Sequence, residues 1–241
     1  MKKVLIVGCS HSTRSWETHQ DGVERIGGKP GYWEHLPVHN EYTVYGQVGS
    51  GYAGFATTLS ELDRTNRLRN FDICIIQESW EPRLVFYLQQ DDEDYEEFVY
   101  NNVTYRELGS ARKLFANYFF TDMCKFRFNV ENTYNITFND VEKEYMNRLV
   151  ENAHTDHLVQ SSVSLCNRLL EKNNVQGYYF SFNKQEWYHR YMQRVDIPII
   201  TDLMFFDEQY HNFSDTFTGH LNYNGNKKLG TMLAHAMKEI L

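Results

Sequence analysis

The sequence predicts an α/β protein on a mostly parallel sheet, and three observations carry that expectation. Val4 to Val7 and Phe71 to Gln77 are short runs, apolar on both faces, and Val175 to Phe182 reads as a further strand. Strands buried on both faces belong to parallel sheets covered by helices. Between and after these runs, apolar residues recur at helical spacing. Phe55, Leu59 and Leu62 share one face, and so do Leu229, Leu233, Ala236, Met237 and Ile240. Finally, Gly8 closes the first run, and the small polar residues Ser10 and Ser12 stand just beyond it. In open α/β sheets the reactive groups collect past the carboxyl ends of such strands. A serine on that turn can present its hydroxyl while its own N–H faces the same space.

Taken in order, the first strand leads into a polar, Gly-containing stretch to Pro30, read as loop, in which His11, Arg14, Trp16 and His19 are weighed as substrate-facing or plain surface. Gly31 to Leu36 suggests a short helix stopped by Pro37, and Glu41 to Tyr45 a second strand. The Gly46-Gln-Val-Gly-Ser-Gly51 turn opens the next helix. It lacks the Gly-Lys-Ser/Thr of a phosphate-binding loop, so nucleotide binding is a weak third reading.

After the third strand, Asp91 to Glu97 holds six acids in seven residues. A calcium loop would need alternating ligands and a Gly turn, so a solvated loop is expected. A helix is expected from Tyr105 to Tyr118 and another from Val141 to Asn173; 120–139 carries no assignment. Roughly a hundred residues thus separate the third and fourth strands, more than one crossover needs. The excess, 84–173, reads as a helical insertion or cap within a single domain spanning 1–241. His154 and His157 lie in it without a third ligand in view, so no metal is expected there. Beyond the fourth strand, Lys184 to Gln193 reads as a short amphipathic helix. Ile197 to Ile200 reads as an edge strand limited by Pro198, and Asn222 as the cap of the last helix.

Composition bounds the function. At 241 residues the chain suits one large domain. A net charge of -8 argues against a phosphate-binding nucleic-acid surface. The four cysteines are widely spaced, which supports neither a metal site nor a disulfide framework, and Cys74 reads as a small core hydrophobe. No cofactor motif stands out. No run is long enough to span a bilayer, and Met1-Lys-Lys precedes an apolar run too short for a secretory leader. A cytoplasmic setting is the default expectation, and the sequons at Asn102, Asn135 and Asn212 are read as chance. The 17 Tyr, 16 Phe and 4 Trp would mostly fill the core, with some left to line a pocket or a carbohydrate-binding face.

Two blocks at the ends of the chain carry a resemblance. Gly8-Cys-Ser-His-Ser12 follows the first strand, and His220-Leu-Asn-Tyr-Asn-Gly225 precedes the last helix. Together they resemble the SGNH (GDSL-like) hydrolases over nearly the whole length. The resemblance implies a flavodoxin-like three-layer α/β/α sandwich, with Ser10 as nucleophile and His220 as its base. It also implies a glycine N–H in the oxyanion site, best matched by Gly51, with Gly49 as the fallback. The chain departs from the family at three points. Cys9 stands where the family often has Asp. The third block has no Asn, its place being taken by Glu81, so Arg83, Gln77 or Trp80 is left as a substitute donor, Arg83 first for its permanent charge. Phe217 stands three before the His, and Asp215, five before, is the nearest carboxylate to orient it.

The expected activity is that of a serine esterase acting on a small-molecule or carbohydrate ester, O-deacetylation included. The alternative is a catalytically impaired binding or structural module on the same fold.

Overall fold

In the computed structural model, the described residues are 1–18, 24–47, 50–78, 83–87, 95–100, 103–108, 118–122, 154–182, 187–197 and 220–241. The first run forms β1 (Lys3–Gly8), and its neighbours in space come from far along the chain. A hairpin, β2 (Trp16–Thr18) and β3 (Glu24–Ile26), precedes β4 (Glu41–Gln47). Helix α1 (Tyr52–Arg64) leads to β5 (Ile73–Glu78). Four strands follow: β6 (Arg83–Tyr87), β7 (Tyr95–Tyr100), β8 (Val103–Leu108) and β9 (Tyr118–Asp122). Helix α2 (His154–Lys172), β10 (Gln176–Ser181), β11 (Gln193–Arg194) and α3 (Tyr223–Ala236) complete the order.

Among the described residues, seven strands make one sheet in the order β11-β10-β5-β1-β4-β8-β7. Every pairing is parallel except β7 against β8. β1 is central, with Val4 opposite Tyr42 on one side and Ile73 on the other. From β1 the chain goes first to β4 and then back across to β5, β10 and β11. This is the flavodoxin-like strand order, with its switch point between β1 and β5.

Strand alternation explains the two-sided apolar runs. Val4, Ile6, Ile73, Ile75 and Phe180 face a core with Leu229 and Leu233 of α3 and Met237 just beyond it, together with Tyr32 and Trp33. Leu5, Val7, Cys74, Ile76 and Tyr179 face the other way, onto Phe55, Leu59 and Leu62 of α1 and Val163 and Leu170 of α2. Helices on both faces give the three-layer α/β/α sandwich that the resemblance implies. α1 and α2 end before Asn66 and Asn174, whose φ angles of 57° and 56° suit asparagine at a helix end. Cys74 is buried as expected, and desolvation pushes its thiol well above the ordinary range.

Several elements differ from the sequence reading. The sequence leads one to expect a helical insertion or cap over 84–173, yet the described residues of that stretch hold strands as well as α2. β8 joins β4 in parallel, β7 closes that edge, and β6 pairs with β9 in a separate ribbon. Val103-Thr-Tyr-Arg-Glu-Leu108 alternates and is rich in β-formers, a period-2 signal that outweighs the helical spacing read from Leu108. α2 packs on α1 and continues into β10, so it is a layer helix, not a cap. Within the acidic run, Tyr95 to Glu97 enter β7. The polar stretch after Ser12 contains the β2–β3 hairpin. The strand beyond β10 is Gln193–Arg194, and the next residue's N–H (Val195) reaches the Tyr179 carbonyl at 2.7 Å. Backbone pairing, not hydrophobicity, defines β11, so an apolar run could not reveal it. The expected strand's 198–200 lie outside the described residues, as do 109–117, 141–153 and 184–186 of the expected helices.

Candidate functional site

The site forms where β1 and β5 end. Beyond Gly8, residues Ser10–Ser12 make a single helical turn, with Ser12 N–H donating to the Cys9 carbonyl at 2.9 Å. The turn folds back over the strand ends because Gly8 and Gly46 have no side chains. A Cβ on Gly8 would collide with the Ser12 side chain, and one on Gly46 would come within 2.6 Å of the Ser12 carbonyl oxygen.

Gln77, the penultimate residue of β5, holds this turn from the neighbouring strand. Its Oε1 accepts from Cys9 N–H at 3.1 Å, from Cys9 Sγ at 3.1 Å and from Ser12 Oγ at 3.3 Å. Its Nε2 donates to the Glu78 carbonyl. The amide is fully buried and engaged on the scaffold, so its geometry is that of a positioning group. Ser12 Oγ also pairs with Tyr32 O–H at 3.0 Å, and Thr13 Oγ1 donates to the Ser10 carbonyl at 2.5 Å. Burial raises the Tyr32 phenol, which keeps its proton.

The C-terminal block arrives at the same edge. The His220 ring lies 5.2 Å from that of His11, which is 5.0 Å from Phe182 beyond β10. Asn226 staples the two ends of the chain together. Its Nδ2 donates to Ser15 Oγ at 3.1 Å and to the Leu221 carbonyl at 3.0 Å, and its Oδ1 accepts from Tyr32 N–H at 3.1 Å. As the sequence suggested, Asn222 caps α3, its side chain accepting from Gly225 N–H at 3.0 Å.

The sequence candidates are thus placed as follows. Ser10 is on the β1 turn, 5% exposed, with its Oγ 3.9 Å from Cys9 Sγ. His220 is at the same strand ends, its ring beside that of His11, and the carbonyl of the next residue, Leu221, accepts from the Asn226 staple. Gly51 is the N-cap of α1, in extended backbone, following the end of β4. Arg83 begins β6, opposite Asp122 of β9; its side chain lies outside the described residues. Asp215, Glu81 and Trp80 lie outside them too.

Sequence reasoning passed over Asn226 and a buried group on the α1–α2 face of β5. There Tyr52 O–H donates to Glu78 Oε1 at 2.7 Å, and His189 Nε2 stands 2.8 Å from the same oxygen. A glutamate directly after an apolar strand was the one available signal; nothing marked His189. Among the described residues no group of three or more His, Cys, Asp or Glu is placed to hold a metal. No helix among them is long and apolar enough to cross a membrane.

Fold and site together define a doubly wound α/β/α protein, with polar and aromatic groups gathered at its switch point. No family model matches the chain, and no curated protein matches it. Among solved structures, a lipase from a goat rumen metagenome aligns over 98% of this chain and 97% of its own, at 10% identity and a TM-score of 0.49. A likeness of that depth speaks neither for nor against an activity in this chain.

Proposed function

We propose that this protein is an SGNH-type serine hydrolase that cleaves carboxylic esters through Ser10 and His220. The observation that carries the reading is the meeting of the two chain ends: the residue after Ser10 has its ring 5.2 Å from the ring of His220, at the sheet's switch point. His220 would take the Ser10 proton as Oγ attacks the ester carbonyl, and return it to the leaving alkoxide. The Ser10 and Gly51 N–H groups would donate to the oxyanion. Arg83 is the candidate third donor, replacing the absent Asn, and Asp215 the candidate to orient the imidazole. Gln77 fixes the turn from below. Water then attacks the acyl-Ser10 carbonyl with His220 again as base, releasing the acid.

The test is mass spectrometry after a fluorophosphonate probe. A single adduct on Ser10, lost in Ser10→Ala and strongly slowed in His220→Ala, is the expected result. Acetylated sugars and short esters are then the substrates to screen. An unlabelled, folded wild-type protein would instead favour the impaired binding module. The deep burial of Ser10, 5% exposed, is the observation on that side.

A further inference from the structure

We propose that Glu78, His189 and Tyr52 form a positioning triad that holds the first turn of α1, and with it the Gly51 N–H, against the end of β5. This rests on the hydrolase reading above and adds three residues to it. Tyr52 is the first residue of α1 and the direct neighbour of Gly51. Its O–H donates to Glu78 Oε1 at 2.7 Å and stands 3.1 Å from His189 Nε2, which is 2.8 Å from the same Glu78 oxygen. The Tyr179 ring packs on His189 at 3.9 Å between centroids. The His189 and Glu78 side chains are each 1% exposed. Burial, together with the adjoining Glu78, pushes the Tyr52 phenol well above its ordinary range, so it stays a donor.

Stability alone does not call for such a group. Glu78 Oε2 and His189 Nδ1 are buried without a hydrogen-bond partner among the described residues. Buried polar atoms left so are costly, and an apolar cluster of the same volume would stabilise the α1 contact at least as well. What the polar group adds is direction, because hydrogen bonds fix Tyr52, and so the start of the helix, to one place on the strand end. The same strand end sets the Ser10 turn through Gln77, whose Nε2 donates to the Glu78 carbonyl while its Oε1 receives the Cys9 N–H. Residues 77 and 78 therefore tie both halves of the oxyanion site, the Ser10 turn on one face and the Gly51 turn on the other, to a single strand.

An oxyanion donor acts only when it is held within a few tenths of an ångström, and misplacing a reacting group by about 1 Å can cost on the order of 100-fold in rate. Tyr52→Phe and His189→Leu are therefore expected to lower kcat for a short ester, and the rate of fluorophosphonate labelling at Ser10, by about 10-fold to 100-fold with KM unchanged. Glu78→Gln, which keeps an acceptor for Tyr52, should retain more of both rates than Glu78→Ala. Circular dichroism and thermal melting select the variants that are folded. Wild-type rates in folded Tyr52→Phe and His189→Leu, or equal losses in Glu78→Gln and Glu78→Ala, would overturn the triad while leaving the hydrolase intact. A folded wild-type protein that is neither labelled nor active would remove the hydrolase reading, and the triad's role with it.

Discussion

Gln77 shows how much of the site one residue organises. Fully buried at the end of β5, it accepts from the Cys9 backbone and side chain and from Ser12, and donates to Glu78. Leucine has a similar size but none of these bonds, and it would leave the Cys9 N–H without its acceptor. Gln77→Leu is expected to destabilise the protein by about 1–3 kcal/mol, read as a drop in the denaturation midpoint. Labelling of Ser10 should slow in the protein that remains folded. Asn226 has the same character at the other end of the chain, as one side chain bonded to Ser15, Leu221 and Tyr32. Both are amides. Only a group that donates and accepts at once can satisfy backbone and side chain together in so small a space.

At the scale of elements, α3 carries His220's neighbours to the site because it packs closely on the short helical segment Tyr32–His35. Gly230 makes that approach possible: a Cβ there would collide with the Tyr32 carbonyl oxygen and come within 2.7 Å of His35 Cβ. Gly230→Ala raises helix propensity by about 1 kcal/mol, yet it is expected to lower the melting temperature, because backbone cannot yield as a flexible side chain can. A higher melting temperature would show that α3 shifts freely. On the opposite face, Lys172 at the end of α2 bonds Asp63 of α1 at 2.8 Å, with Asn173 donating to the other carboxyl oxygen at 2.8 Å. These bonds hold the Asp63 carboxyl below the usual carboxylate range. A lowered folded pKa gives stability that is present above the unfolded value, about 3.9, and is lost as pH falls through the folded one. Asp63→Asn should therefore lose stability at pH 6 relative to wild type and converge with it toward pH 2, measured by melting at several pH values. Because the pair is partly exposed, the effect is small.

Across the whole molecule, what could be read from sequence was what local pattern encodes. β1 and β5 were legible because strands buried on both faces must be continuously apolar, and α1 and α3 because one apolar stripe recurs every three to four residues. The Asn222 cap was legible because its partner, Gly225, is three residues away. Ser10 and His220 stood out only as parts of motifs, each beside an element that could be predicted. The rest depends on pairings across long separations. β8 is a strand because β4 lies beside it, and β11 because the Tyr179 carbonyl is there to receive Val195. Tyr52, Glu78 and His189 come from three parts of the chain, and no spacing rule connects residues separated by 26 and 111 positions. The sequence by itself thus determined the α/β class, the central strand and the two motifs at the ends of the chain, since these follow from hydrophobic period and short-range capping. Only the tertiary structure decided the strand order, the meeting of His11 with His220, and the buried bonds that hold the strand ends, because each of these requires two distant segments to be brought within a few ångströms.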